Sequence, residues 1–178
     1  LDTPKVGLFL DMGLGKTVIT LTAIDRLMYW DFEIGKVLVI APLRVAEDTW
    51  SRETQKWEHL KHIKMIKILG SKSEREKALS KEGDIYIINR DNVVWLTNEL
   101  NTVGCAWDFD MVVIDELSSF KSAKSQRFRA LKKFIPLAKR VVGLTGTPAP
   151  NGLLDLWSQI YLLDGGERLG KTLTAYRE

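Results

Sequence analysis

The stretch Leu10-Asp11-Met12-Gly13-Leu14-Gly15-Lys16-Thr17 lies between a short apolar run, residues 6–10, and a segment with helical character, residues 18–27. A strand, a glycine-rich turn ending in Gly-Lys-Thr and a helix form the layout of a phosphate-binding loop. Gly13 and Gly15 allow the backbone to curl so that successive N–H groups point at a triphosphate, and the helix N-terminus adds partial positive charge. Lys16 can reach the β- and γ-phosphates, and the Thr17 hydroxyl can hold Mg2+.

A plainer interpretation of this stretch is a glycine turn with Lys16 as a solvated residue at the start of a helix. The general pattern also has glycine where this chain has Leu10. The flanking strand and helix are nevertheless what a phosphate loop requires, so the sequence favours nucleotide binding. The predicted nucleotide-binding residues are Met12, Gly13, Leu14, Gly15, Lys16 and Thr17.

Length and composition restrict the class of protein. The 178 residues suffice for one domain with a core. A composition of 45% hydrophobic and 28% charged residues is typical of a soluble globular protein. A net charge of +3 permits a nucleic-acid partner without requiring one. The single cysteine, Cys105, excludes an internal disulfide and suits a reducing compartment. Since no apolar run approaches membrane-spanning length, we expect no membrane partner and a cytoplasmic location.

Apolar runs alternate with helical patterns along the chain. Near-continuous Val/Ile/Leu strands separated by helices indicate an α/β fold with a mostly parallel sheet and helices on both of its faces. In such a sheet, ligands bind at the carboxyl ends of the strands. The predicted strands cover residues 6–10, 37–41, 63–69, 84–89, 111–115 and 140–145, and the predicted helices cover residues 18–27, 45–57, 73–81, 90–100, 122–134 and 153–163.

An acidic pair, Asp115 and Glu116, ends the apolar run Met111-Val112-Val113-Ile114. A strand that carries a carboxylate at its C-terminal end is how a phosphate-loop protein holds Mg2+ from the side opposite the loop. We therefore predict Asp115 as the metal carboxylate and Glu116 as the group that orients and deprotonates the attacking water. The alternative is a pair of acidic residues that simply faces solvent at the end of a strand.

A third stretch, Leu144-Thr145-Gly146-Thr147-Pro148, places two hydroxyls around a glycine at a strand end. Two prolines stiffen the loop that follows. The residues alone fit equally well with an ordinary turn and with a loop that senses the γ-phosphate side of the site.

Together these stretches resemble the Swi/Snf-type branch of superfamily-two helicases, and their order and spacing are similar to the first of that family's two RecA-like lobes. The motifs that carry the resemblance are residues 11–17, residues 37–43 with Trp50 and Trp57 downstream, Asp115-Glu116, and Leu144-Thr145-Gly146-Thr147-Pro148 with Asn151 and Leu156-Trp157. The resemblance spans nearly the whole chain, and Leu10 in place of glycine is usual in this superfamily. The compact spacing is most similar to phage and prophage members, which implies an intracellular protein of bacterial or phage origin.

The resemblance assigns roles to matching positions. It implies a P-loop NTPase domain of RecA-like fold that uses ATP and Mg2+, with Lys16 and Glu116 in catalysis and Thr17 and Asp115 at the metal. Thr145, Gly146 and Thr147 match the motif that couples hydrolysis to DNA. The positions that match strand-contacting motifs are Pro42, Leu43, Arg44, Asn89 and Arg90. Leu117 and Ser118 depart from the family pattern, which usually has Ala or Gly followed by His.

The implied function is the ATP-binding lobe of a DNA-dependent ATPase that moves along duplex DNA through contacts with the backbone. Because the chain begins at Leu1 and reaches the phosphate loop almost at once, we expect residues 1–178 to be one lobe excerpted from a longer protein. The second RecA-like lobe would then be a partner, and this lobe alone would be nearly inactive. A basic helical run, residues 121–133, is either an ordinary solvated face or a source of further phosphate contacts.

Two competing interpretations remain. A phosphate-loop GTPase would carry an Asn-Lys-x-Asp signature and a kinase an arginine-rich lid, and neither is present in the sequence. A non-catalytic DNA-binding or scaffold module could retain the fold, although the intact set of Lys16, Thr17, Asp115 and Glu116 argues against loss of the site. Trp50 and Trp57 are predicted to lie in the core, because they fall on a helical segment beside apolar residues.

Overall fold

In the described part of the chain, six parallel strands form one sheet in the computed structural model of the protein. The structure describes residues 5–9, 15–102, 107–116 and 125–145, with backbone alone for residues 5–9 and for Thr145. The strands are β1 (Lys5–Phe9), β2 (Val37–Ala41), β3 (Met65–Ile68), β4 (Ile85–Asn89), β5 (Met111–Asp115) and β6 (Arg140–Thr145). Their spatial order is β1-β6-β5-β2-β4-β3.

The central strands of the sheet are apolar and buried, whereas the end strand β3 is partly exposed. Every residue of β2, β4 and β5 is buried, as expected for parallel strands that helices cover on both faces. β3, at one end of the described sheet, alternates between buried and exposed residues, and Lys67 faces solvent. The pairing is in register at the carboxyl ends, where Ala41 lies beside Asn89 and Asp115 lies beside Leu144.

Helices cover both faces of the sheet. The α-helices are α1 (Lys16–Asp25), α2 (Trp50–Lys56), α3 (Lys72–Leu79), α4 (Val93–Thr102) and α5 (Gln126–Phe134). Wider π-type turns, Arg26–Trp30 and Val45–Thr49, extend α1 and precede α2, and short 3-10 turns occupy Glu58–Leu60, Arg90–Asn92 and Ile135–Leu137.

Two apolar cores result, one on each face of the sheet. Leu21 and Ile24 of α1 pack with Trp50 of α2 against one face. On the other face, Val93 of α4 and Phe128 of α5 pack with the alternate residues of the same strands. Side chains of β2 divide between the two cores in alternation, which is the geometry of a pleated strand buried on both sides.

The predicted α/β class, with a parallel sheet and helices on both faces, is confirmed. Each predicted strand is present: β2, β5 and β6 have the predicted bounds, and the bounds of β1, β3 and β4 shift by one or two residues. α5 begins at Gln126, where the Ser125 side chain accepts a hydrogen bond from the Phe128 N–H as an N-cap. The predicted helix over residues 153–163 lies outside the described residues. None of the helices in the described part of the chain has the length and apolar character needed to cross a bilayer.

Candidate nucleotide and DNA site

The predicted site residues that the structure describes lie along one edge of the sheet. Thr145 ends β6, Asp115 ends β5, Pro42 follows β2 and Asn89 ends β4, and these four strands are consecutive neighbours. β1, which leads into the phosphate loop, lies beside β6. Adjacent strands are about 4.8 Å apart. The strands that lead to the predicted nucleotide site, β1, β6 and β5, are therefore followed directly by β2 and β4, which lead to the predicted DNA contacts.

The start of α1 has the features of an anion site. Gly15 is its N-cap with φ of 72°, in the left-handed region that glycine adopts without a steric penalty. The first backbone bond of the helix runs from Ile19 N–H to the Gly15 carbonyl at 3.0 Å, so the amides of the preceding turn have no acceptor within the helix. Among the residues that the structure describes, no side chain caps this terminus, and no acidic residue lies in the first turn. Met12, Gly13 and Leu14 lie outside the described residues.

Lys16 joins the phosphate loop to the acidic pair. Its Nζ lies 3.0 Å from Asp115 Oδ1 and donates a hydrogen bond to Glu116 Oε1 at 2.9 Å. The Lys16 and Asp115 side chains are 11% and 2% exposed, whereas Glu116 is 24% exposed. Residues one hundred positions apart in sequence thus form a single cluster at the carboxyl edge of the sheet.

The charge balance of this cluster favours the ammonium form of Lys16. Burial lowers the pKa of Lys16, but the hydrogen bond to Glu116 and the charge of Asp115 outweigh burial and raise the pKa above its usual 10.5. One cation and two carboxylates leave the cluster with a formal charge of −1. Lys16 therefore occupies the position beside Asp115 where a divalent cation would be attracted.

Asp115 is suited to hold a metal through one oxygen. Its Oδ2 accepts a hydrogen bond from Trp50 Nε1 at 3.0 Å, while the other oxygen, Oδ1, faces Lys16 Nζ at 3.0 Å. Thr17, the other predicted metal ligand, is 8% exposed in the first turn of α1. No cluster of three or more His, Cys, Asp or Glu side chains occurs in the described ranges. A hydroxyl, one carboxylate and phosphate oxygens match the oxygen ligands that Mg2+ takes in nucleotide sites.

Glu116 has an unusual backbone conformation. Its φ is 57°, in the left-handed region that a residue with a Cβ rarely adopts. Non-glycine residues in this region carry local strain and cluster at functional sites. The turn directs the Glu116 carboxylate to Lys16 rather than along the strand, so the acidic pair presents both carboxylates to the same cation.

Thr145 follows Leu144 at the end of β6, between the strand of the phosphate loop and the strand of the acidic pair. The backbone thus brings the start of the predicted coupling loop between the two halves of the nucleotide site. Gly146 and Thr147 lie outside the described residues, as do Leu117 and Ser118.

Pro42 follows β2, and Leu43 and Arg44 begin the helical segment that leads to α2. Leu43 is 48% exposed and Arg44 is exposed, whereas Pro42 is half-buried. An exposed cation beside an exposed apolar side chain, just after the strand that pairs with β5, is available for contact with a nucleic-acid backbone.

The Asn89 side chain, predicted to contact a DNA strand, is buried within the protein. Its side chain is 6% exposed, and its Oδ1 accepts a hydrogen bond from Asn92 Nδ2 at 2.6 Å. Asn92 Oδ1 in turn accepts from the Arg75 guanidinium at 2.6 Å. Asn89 therefore shapes the turn after β4, and Arg90, which is half-buried, is the residue of the pair with access to solvent.

Sequence reasoning missed the link between Trp50 and Asp115. Trp50 was predicted in the core and is fully buried, but its indole N–H also reaches the acidic pair. A buried indole needs an acceptor, and that requirement is the only signal the sequence offers. Trp57, also predicted in the core, is 39% exposed, and that prediction is wrong. It follows the last residue of α2 with φ of −101° and ψ of 123°, so its side chain leaves the helical face that packs on the sheet.

Comparison with known proteins identifies the family. Residues 5–167 match the family model of the SNF2-related domain, which is most of the chain. The chain is 43% identical to protein p41 of Acyrthosiphon pisum secondary endosymbiont phage 1 over 99% of this chain and 39% of p41. It is 31% identical to the ATP-dependent helicase BRM of Arabidopsis thaliana over 86% of this chain and 7% of BRM.

A solved structure supports the same assignment. The Sulfolobus solfataricus SWI2/SNF2 ATPase core in complex with dsDNA superposes with a TM-score of 0.78 and 28% identity, over 97% of this chain and 34% of that chain. The chain thus spans well under half the length of these relatives. The expected resemblance to the Swi/Snf type, to a phage protein and to the RecA-like helicase fold is confirmed. The chain belongs to the family of SNF2-related domains, within the helicase-type ATPases.

Proposed function

We propose that this chain is the ATP-binding lobe of a DNA-dependent ATPase that translocates along duplex DNA. The observation that carries the proposal is the contact of Lys16 Nζ with Asp115 at 3.0 Å and Glu116 at 2.9 Å. This contact unites a phosphate-loop lysine with a strand-end acidic pair, and these are the two halves of a nucleoside triphosphate hydrolase site. The start of α1, with Gly15 as its N-cap and no acidic residue in its first turn, adds backbone amides for phosphate oxygens.

Each residue has a defined task in this proposal. Lys16 leaves the carboxylates and binds the β- and γ-phosphates, while the first-turn amides of α1 hold phosphate oxygens. Thr17 and Asp115 hold Mg2+, which shields phosphate charge. Glu116, freed from Lys16, orients the attacking water and accepts its proton during in-line attack on the γ-phosphorus. Positioning and fixed charge would supply most of the catalysis.

The second lobe of the longer relatives enters the proposal as a partner. By resemblance, an arginine from that lobe would stabilise the transferred phosphoryl group, so residues 1–178 alone should bind ATP and hydrolyse it barely. A turnover by the isolated chain equal to that of a two-lobed relative would refute this division of labour.

Nucleotide binding is tested by thermal protection. ATP with Mg2+ should raise the melting temperature of the chain more than GTP does, and Lys16→Met should abolish the rise. Lys36→Met is the matched control, because Lys36 Nζ also lies 2.9 Å from a carboxylate, that of Asp108, at the opposite edge of the sheet. A preference for GTP would contradict the proposal, and unchanged ATP binding in Lys16→Met would favour the scaffold alternative.

Duplex DNA binding is tested separately through its salt dependence. Backbone contacts predict sequence-tolerant binding, and Arg44→Ala should reduce the slope of log affinity against log salt by about one charge. Arg52→Ala serves as the control, because Arg52 is exposed on α2 and already paired with Asp48. Equal effects of the two substitutions would remove Arg44 from the proposed DNA contact.

A further inference from the structure

The hydrogen bond between Trp50 and Asp115 connects α2 to the acidic pair. Trp50 is the first residue of α2 and has no exposed surface, and Asp115 is 2% exposed. The Trp50 Nε1–Asp115 Oδ2 distance is 3.0 Å, between residues 65 positions apart. An indole N–H can only donate a hydrogen bond, so Trp50 is the donor and the Asp115 carboxylate is the acceptor.

The contact divides the two oxygens of Asp115 between different tasks. Oδ2 is held by Trp50 from the core side, whereas Oδ1 lies on the side of Lys16, 3.0 Å from its Nζ. Without the indole, the carboxylate could rotate about its terminal torsion, which is broad for Asp. With it, one oxygen is kept available in a fixed direction towards the start of α1.

The packing of the Trp50 ring in the core fixes the direction of its hydrogen bond to Asp115. Its ring lies in the core with Leu21 and Ile24 of α1, on the face of the sheet that α1 covers. The π-type turn Val45–Thr49 immediately precedes it and sets the direction in which Trp50 enters the core. Turns of this kind often occur at functional sites.

We infer that Trp50 is a positioning residue for the metal carboxylate, with its indole N–H holding Asp115 Oδ2 so that Oδ1 is presented to Mg2+. The inference rests on the proposed function, in which Asp115 binds the metal of Mg·ATP. Partners that orient a metal-binding carboxylate typically change metal affinity by about 10- to 100-fold when they are removed.

The test is Trp50→Phe, which keeps an aromatic ring and removes the donor. Mn2+ binding to the complex of the chain with a non-hydrolysable ATP analogue is measured by electron paramagnetic resonance, and analogue binding is measured in EDTA by calorimetry. We expect Trp50→Phe to weaken Mn2+ binding by about 10- to 100-fold and to leave metal-free analogue binding within about threefold. Trp57→Phe is the matched control, because it removes an exposed indole bond to Glu53 Oε2 of 2.8 Å on the same helix.

Three results would overturn the inference. Unchanged Mn2+ affinity in Trp50→Phe would show that the indole does not position the carboxylate. An equal loss of analogue binding with and without metal would show a purely structural role. A similar loss in Trp57→Phe would show a general effect of tryptophan removal. Should Trp50→Phe fail to fold, benzothienylalanine at position 50 keeps the shape of the indole and lacks the N–H, and the same expectations apply.

A spectroscopic readout is independent of affinity. The indole N–H resonance of Trp50 should shift when Mg2+ is added to the analogue complex, because its acceptor becomes a metal ligand, and the Trp57 resonance should stay in place. Absence of a Trp50 shift while Mg2+ binds would contradict the inference alone. Absence of any metal-dependent analogue binding in the parent chain would instead overturn the proposed function, and this inference with it.

Discussion

Removal of the Lys16 ammonium should strongly destabilise the ligand-free protein. Lys16 lies 3.0 and 2.9 Å from the two carboxylates, with Asp115 2% exposed. Opposite unit charges about 3 Å apart attract by roughly 5–6 kcal/mol at an effective dielectric constant of about 20, and desolvation of the charges opposes this attraction. Loss of one partner from a buried pair costs about 3–5 kcal/mol. Since Glu116 can turn to solvent, we expect about 3 kcal/mol for Lys16→Met.

The assay is urea unfolding of a double-mutant cycle without nucleotide. In the Asp115→Asn background, Lys16→Met should cost only about 1 kcal/mol, because the buried negative charge is gone, so the coupling energy should be about 2 kcal/mol. Arg52→Met provides the control: its partner Asp48 is also 2.9 Å away, but both side chains are 64% exposed. That substitution should cost less than about 1 kcal/mol.

The reasoning would be refuted by a Lys16→Met cost equal to that of Arg52→Met, since the two pairs have similar distances and differ in burial. It would equally be refuted by a coupling energy near zero, which would mean that Lys16 does not compensate the charge of Asp115. Either comparison is valid only if the slope of the unfolding free energy against urea concentration is the same for all variants. A changed slope would mean that a substitution altered the compactness of the unfolded or folded state.

Three further outcomes follow from the same geometry. The pKa of Lys16 is raised in the folded protein, so the stabilisation by its ion pairs is fully present below pH 10.5 and is lost as the pH rises through the higher folded pKa. The loss of unfolding free energy caused by Lys16→Met, measured by urea unfolding, should therefore become smaller above pH 10.5. Burial and a hydrogen bond to Asp84 raise the pKa of Tyr29 to about 12, and Asp84→Asn should move its phenolate absorbance titration towards 10.0. Gly70→Ala should destabilise the protein to urea by about 1–3 kcal/mol, since Gly70 has φ of +88° and a Cβ there would lie 2.0 Å from Glu74 Oε2 in the capping box of α3.

Local patterns predicted the elements of the fold well. Val37–Ala41 is continuous, apolar and followed by Pro42, and all five of its residues are buried in a central strand. The acidic pair was placed correctly at a strand end because a carboxylate directly after four apolar residues can hardly lie elsewhere in a parallel sheet. The assignment of catalytic, metal and DNA-contact roles to individual residues stays a prediction.

Individual side-chain contacts and the exact ends of helices could not be predicted from the sequence. The burial of Asn89 follows from its hydrogen bond to Asn92 inside a turn, which no periodicity encodes. The exposure of Trp57 follows from the end of α2 one residue earlier. The contact of Trp50 with Asp115 joins positions 65 residues apart and depends on how α2 is laid against the sheet.

The order of the strands has a consequence for how the protein is made. β6, the last described strand to be synthesised, lies between β1 and β5, whereas β2 to β5 are four adjacent strands that can pair without it. On the ribosome, β5-β2-β4-β3 can pair while β1 still lacks its neighbour. At about 5–20 residues per second, the 130 residues between Phe9 and Arg140 take roughly 7 to 26 s to synthesise, and β1 lacks its partner in the described sheet for that time. β1 therefore joins the described sheet only after Arg140 has been made, and a ribosome that stalls before Arg140 leaves the four strands β5-β2-β4-β3 without it.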